Sequence, residues 1–215
     1  MKKYTNSIFS GLIYIGFMSV DNAVAGDNTI SIGYAQTESR LLKYNVDHIK
    51  DYIYPVGFFS DYKDQKGINI KFRHELNDKL GVISSLTYTS KFLNGNAKIQ
   101  DRYGEFSTRG KYLSFIVGPT FRLNEYVSAY ATAGIARTKV RNYSANYSIK
   151  QDAQGKDTYT LTDSDTFSDR KTSFTYGVGL QFNPIEPVAI DVSYERSGHG
   201  VWRASGLNIG VGYRF

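Results

Sequence analysis

The residues in this chain best suited to proton transfer or metal binding are its three histidines, His48, His74 and His199. A hydrolase built on a serine nucleophile needs one of them within reach of a serine and a carboxylate. His48 lies in a stretch without strand alternation, His74 stands near a turn, and His199 sits between two glycines. None has the H-x-S spacing of membrane lipid deacylases, and no two are placed as ligands of one ion. With no cysteine there is neither a thiolate metal site nor a disulfide framework. The expectation is a non-enzymatic protein without metal or cofactor.

Binding chemistry is better represented. Lys139 and Arg141, at i and i+2, share one face of an extended chain, and Arg40 follows the first strand at a comparable rim position. Cations so placed suit phosphate or sulfate oxygens as charge-assisted contacts; the plainer reading is a solvated rim. Phe58, Phe59 and Tyr62 in one irregular segment, with Phe92, Tyr103 and Phe106 in another, are large groups of the kind that anchor interfaces. Their plainer reading is packing on one another or completion of an aromatic girdle. A net charge of +6 and a pI near 9.3 favour acidic partners, but no nucleic-acid motif gathers the charge, so nucleic acid is not an expected partner.

The elements that position these residues alternate with period two. Lys2 and Lys3 precede an apolar run from Ile8 to Val20, and Ala23-Val24-Ala25 offers a signal-peptidase site, so residues 1–25 are expected to be a signal peptide and 26–215 the mature chain. Strands are expected around Ile30–Tyr34, Ile68–Glu75, Leu80–Tyr88, Leu113–Leu123, Val127–Ile135, Phe174–Phe182, Val188–Tyr194 and Leu207–Phe215. In the last of these, Leu207, Ile209, Val211, Tyr213 and Phe215 oppose Asn208, Gly210, Gly212 and Arg214. Ile83 breaks the pattern, and Pro119, which donates no ladder hydrogen bond, belongs at a bulge or near a strand end. Segments 40–66, 91–108 and 137–169 lose the alternation and are expected to be long exposed loops, whereas the intervening connections are short turns.

No stretch in the body of the chain is apolar for the roughly 18 residues of a membrane helix. One apolar and one polar or charged face on every strand instead needs oil on one side and satisfied polar groups on the other. The fold class is therefore all-β: an eight-stranded antiparallel transmembrane β-barrel of outer-membrane type, with long outer loops and short periplasmic turns, expected as a monomer. A lumen of this size holds side chains, so Lys71, Arg73, Glu75, Arg122, Asp191, Glu195 and Arg214 are expected to form a polar plug, with inward Gly177, Gly179, Gly210 and Gly212 making room.

Several stretches resemble one family. Gly67-Ile68-Asn69-Ile70-Lys71-Phe72-Arg73-His74-Glu75 is similar to the G-x-N-x-K-Y-R-Y-E signature of the Ail/Lom/OmpX outer-membrane proteins, departing at Phe72 and His74. Gly118 to Ser128 resembles its G-P-S-F-R-I-N-E-Y-V-S segment, Gln181-Phe182-Asn183-Pro184 recurs, and Gly210 to Phe215 matches its G-x-G-Y-R-F ending. The resemblance covers the mature chain outside the loops. It implies an outer-membrane barrel in contact with lipid and lipopolysaccharide. In the Ail branch it implies adhesion to and invasion of host cells, binding of matrix proteins such as fibronectin and laminin or of complement regulators, and serum resistance. That branch also carries two basic residues at the strand end matching Lys139 and Arg141, implicated in binding sulfated glycans and lipopolysaccharide. The OmpX branch implies a structural barrel supporting membrane integrity or lipopolysaccharide packing without a host ligand.

Overall fold

A computed structural model of the chain describes residues 28–151 and 155–215; the expected signal peptide lies outside them. The strands are β1 (Asn28–Ser39), β2 (Gly57–Phe59), β3 (Gln65–Glu75), β4 (Leu80–Ile99), β5 (Arg102–Arg122), β6 (Val127–Gln151), β7 (Asp157–Ile185), β8 (Val188–Ser197) and β9 (Ala204–Arg214). One helix, α1 (Arg40–Ile53), follows β1, and a short 3-10 turn spans Gly200–Trp202. All pairings are antiparallel, and eight strands close a ring in the order β1-β3-β4-β5-β6-β7-β8-β9, with β9 returning to β1. Asn28 and Phe215 exchange two backbone hydrogen bonds, of 3.0 and 2.8 Å, at the seam. Closure leaves no unpaired edge within the bilayer, where nothing else could satisfy one.

The alternation sorts side chains as expected. Ile30, Ile32 and Tyr34, and on β9 Leu207, Ile209, Val211 and Tyr213, are all exposed on the outer, lipid-facing surface. Their neighbours face a lumen packed with polar groups. There Lys71 pairs with Asp191 and reaches the Tyr130 hydroxyl at 2.9 Å, while Glu75 gathers Arg73, Arg122 and Arg214. Glu195 accepts hydrogen bonds from Ser114 at 3.0 Å and Thr87 at 3.2 Å. A charge in such a place persists only when paired or hydrogen-bonded. Ile83, the residue out of pattern, turns inward and is buried. Pro119 lies three residues before the end of β5 at Arg122; the ladder toward β6 lapses at 118–119 and resumes at Thr120 in unchanged register. Two turns at the opposite rim to α1 close on an asparagine: Asn77 accepts from the N–H groups of Lys79 and Leu80, and Asn124 from those of Tyr126 and Val127.

The three expected loops are largely regular structure. Segment 40–66 contains α1, β2 and the start of β3. Ser39 caps the helix by accepting from the Leu42 N–H, and Leu41, Leu42, Val46 and Ile53 repeat at helical rather than strand spacing. Segments 91–108 and 137–169 are the continuing arms of the β4–β5 and β6–β7 hairpins. A spanning strand needs roughly 9–11 residues, whereas β4, β5, β6 and β7 have 20, 21, 25 and 29. The surplus projects past the outer rim as a sheet. Alternation fades there because the outer face no longer meets lipid and only part of the inner face, at Leu93 and Val140, is covered.

Candidate functional site

The outer rim is built in three parts. The first is a cap. Leu41, Leu42, Val46 and Ile53 of α1 pack on Phe59, Leu93 and Val140, joined by Tyr62, Phe106 and Trp202. Leu93 and Val140 belong to inward-facing rows of β4 and β6, so the helix lies against the inside of the projecting sheet and covers the barrel mouth. Asn142 ties β6 to the helix, donating to Asn45 at 2.5 Å while accepting from Thr108 at 2.7 Å. The Tyr62 hydroxyl accepts from the Ser39 N–H at 3.0 Å, and burial pushes its pKa above the ordinary tyrosine range. Lys50 in the last helical turn pairs with Asp61, holding that carboxyl below its ordinary range, mainly through the hydrogen bond between them and then through charge. Phe59 is thus part of the cap's interior and the half-buried Tyr62 and Phe106 pack against it, while Phe58 of β2 is exposed.

The second part lies on the outer face of the sheet, above the lipid-facing belt. Register places Lys111, Lys139 and Arg170 in one row across β5, β6 and β7, and Arg109 beside Arg141 in the next. Directly opposite like charges disfavour the sheet by roughly 0.2–1 kcal/mol per pair, and none of these five is ion-paired with a carboxylate among the described residues. Phe92 stacks under the Arg109 guanidinium at 5.2 Å. Phe92, Arg109, Lys111, Lys139 and Arg141 line one shallow cleft of about 300 Å³. The arrangement can neutralise several phosphate or sulfate oxygens together.

Lys139 and Arg141 therefore lie within β6, not beyond its end, and Phe92 joins them. Arg40 does not: it opens α1 on the β1/β9 side of the mouth, its N–H donating to the Arg203 carbonyl at 3.1 Å. Sequence reading missed Arg109, Lys111 and Arg170. Arg109 and Lys111 show the same i, i+2 spacing, but only the register brings them opposite Arg141 and Lys139.

The third part is the sheet's far end. Tyr103 meets Tyr147 at 6.1 Å and Tyr159 at 5.4 Å, an aromatic cluster at the β5–β6–β7 tips. The three histidines are spread over three places: His48 is exposed on α1, His74 contacts Asn28 near the seam, and His199 precedes the 3-10 turn.

Comparison with known proteins finds the same family by sequence and by structure. The family model described as "Enterobacterial Ail/Lom protein" matches residues 1–215. The chain is 35% identical over 204 residues to the attachment invasion locus protein of Yersinia enterocolitica, covering 94% of this chain and 93% of that one. It is 32% identical over 221 residues to outer membrane protein X of Enterobacter cloacae, covering all of both. Among solved structures, Ail of Yersinia pestis in complex with the heparin analogue sucrose octasulfate superposes with a TM-score of 0.59 at 31% identity, covering 89% of this chain and 100% of that one.

Proposed function

The chain belongs to the enterobacterial Ail/Lom family of outer-membrane proteins, and from that premise we propose that it is a non-enzymatic surface adhesin. On this reading it attaches the cell to host cells and extracellular matrix, promotes invasion and confers resistance to serum complement. The observation that carries the reading is the sheet raised beyond the membrane. Among the described residues its β7 arm has ladder partners on the β8 side only from Thr175 downward, so 157–173 presents a row of backbone groups without a described ladder partner there. Such an edge is a template on which an extended segment of a matrix protein adds as a further strand. Asp163, Asp165, Asp169, Arg170 and Lys171 along the same arm discourage indiscriminate pairing. Expression in a non-adherent, serum-sensitive strain tests the reading: binding to fibronectin or laminin and survival in serum should rise. No gain in any of the three counts decisively against it.

A second reading is favoured by the cation rows, which face outward just above the lipid belt. There they suit the phosphates of lipopolysaccharide, as in a structural barrel of the outer membrane protein X kind, and equally the sulfates of a heparin-like glycan. Deletion that changes detergent sensitivity while leaving adhesion and serum survival untouched would select this reading over the first.

A further inference from the structure

The inner face of the projecting sheet holds a cleft that neither the adhesin reading nor the lipopolysaccharide reading uses. It is about 220 Å³, room for a single side chain, and lies between α1 and the β5–β6–β7 arms. Tyr52 and Phe106 meet edge to face, with centroids 6.4 Å apart and planes at 75°. Phe167, a Cα partner of Asn142 in the ladder, presents an exposed ring to the same space, and His48, stacked on Tyr44 with planes 5° apart, borders it. The hydrogen bonds from Asn142 to Asn45 and from Thr108 to Asn142 fix the helix against the sheet, so the cleft is held open by structure independent of any occupant.

Its electrostatics have one sign. The charged residue lining the cleft is Asp165, one of whose carboxylate oxygens accepts from the Thr166 N–H at 2.7 Å. Asp47 and Asp51 are exposed on α1 beside His48 and Tyr52, and Asp163 lies two residues farther along the same face of β7. The cations of this region are engaged elsewhere: Lys50 is paired with Asp61, and Lys139 and Arg141 face the opposite side of the sheet.

We propose that this cleft is a receptor for one arginine side chain presented by a partner polypeptide. Aromatic faces attract a cation through their quadrupoles, and a planar guanidinium stacks on a ring where an ammonium makes only a point contact. The carboxylate of Asp165 supplies a charge-assisted hydrogen bond to the head group. The aliphatic stem lies along the Ile49 and Phe106 walls. The site stands beyond the lipid-facing belt and on the inside of the sheet, so its occupant comes from solution and not from the bilayer. It is independent of whether the partner is a matrix protein.

The test uses the full mature chain folded in detergent micelles, its folded state verified by heat-modifiable migration. N-acetyl-arginine N-methylamide is titrated while the Ile49 methyl and the Phe167 ring resonances are followed by NMR. A saturable shift in the millimolar range is expected, with no response to the isosteric, uncharged N-acetyl-citrulline N-methylamide. D165N weakens binding by about tenfold and F167L several-fold, since each removes one of the two attractions. Both side chains are solvent-facing, so the variants retain the fold. The proposal is overturned by any of four results: no saturable shift with the arginine derivative, an equal response to the citrulline derivative, unchanged affinity in both variants, or tetramethylammonium binding as tightly as the arginine derivative.

Discussion

Gly179 and Tyr130 stand opposite one another on β7 and β6. A methyl group on Gly179 would lie 2.3 Å from the tyrosine ring, so the glycine makes room for the side chain that bridges Lys71 and Asp191. G179A should therefore destabilise the barrel by about 1–3 kcal/mol, read as a lower urea midpoint in micelles. An exposed pair gives a second prediction at this scale. The carboxyl of Asp61 is held below its ordinary value of 3.8 by Lys50. A value lowered in the folded state means the contribution of the pair is complete above 3.8 and is lost as pH falls through the lowered native value. In an NMR titration the Asp61 midpoint should move back up in K50Q; an unmoved midpoint would separate the shift from its assigned cause. Individual inward and outward positions were legible in the sequence because a bilayer on one side and a packed lumen on the other enforce period two. Ile83 looked like an error in that pattern because an apolar residue is tolerated in the lumen as well as outside it.

The helix shows where legibility ended. Leu41, Leu42, Val46, Ile49 and Ile53 are spaced for a helix, but they follow a strand whose alternation invites a search for more of the same, and Tyr44, Tyr52 and Tyr54 blur the polar face. The hairpin arms escaped for a different reason: Thr158, Thr160, Asp163 and Ser164 on β7 are exposed whichever face they occupy, so no hydrophobic pattern distinguishes such an arm from a loop. The cation rows depended on the pairing of three strands, which no single segment records. Because the cap has its own apolar core, it should open independently of the barrel. Leu42→Ala, at a fully buried position, should loosen the docking of α1 by about 2–5 kcal/mol and expose the helix to limited proteolysis. The heat-modifiable migration of the barrel should be unchanged. Concerted loss of both would show cap and barrel to be one cooperative unit.

At the scale of the molecule the charges are asymmetric. Cations unbalanced by carboxylates crowd the outer face of one side of the rim, and their mutual repulsion is tolerated in the folded protein. Replacing Lys111, Lys139 and Arg170 together by Gln should raise stability in neutral detergent, by roughly 0.2–1 kcal/mol for each opposed pair relieved. The same variant should co-purify with several-fold less lipopolysaccharide, and the salt dependence of that association should shrink. A variant that retains lipopolysaccharide fully would remove the anion-binding role. The seam between β1 and β9 carries a consequence of another kind, one of timing. The first strand of the ring finds its second neighbour only in β9, so a chain paired through β8 alone leaves β1 and β8 as open edges. Closure is therefore a late event in folding, because it waits on the one pairing that joins the two ends of the ring.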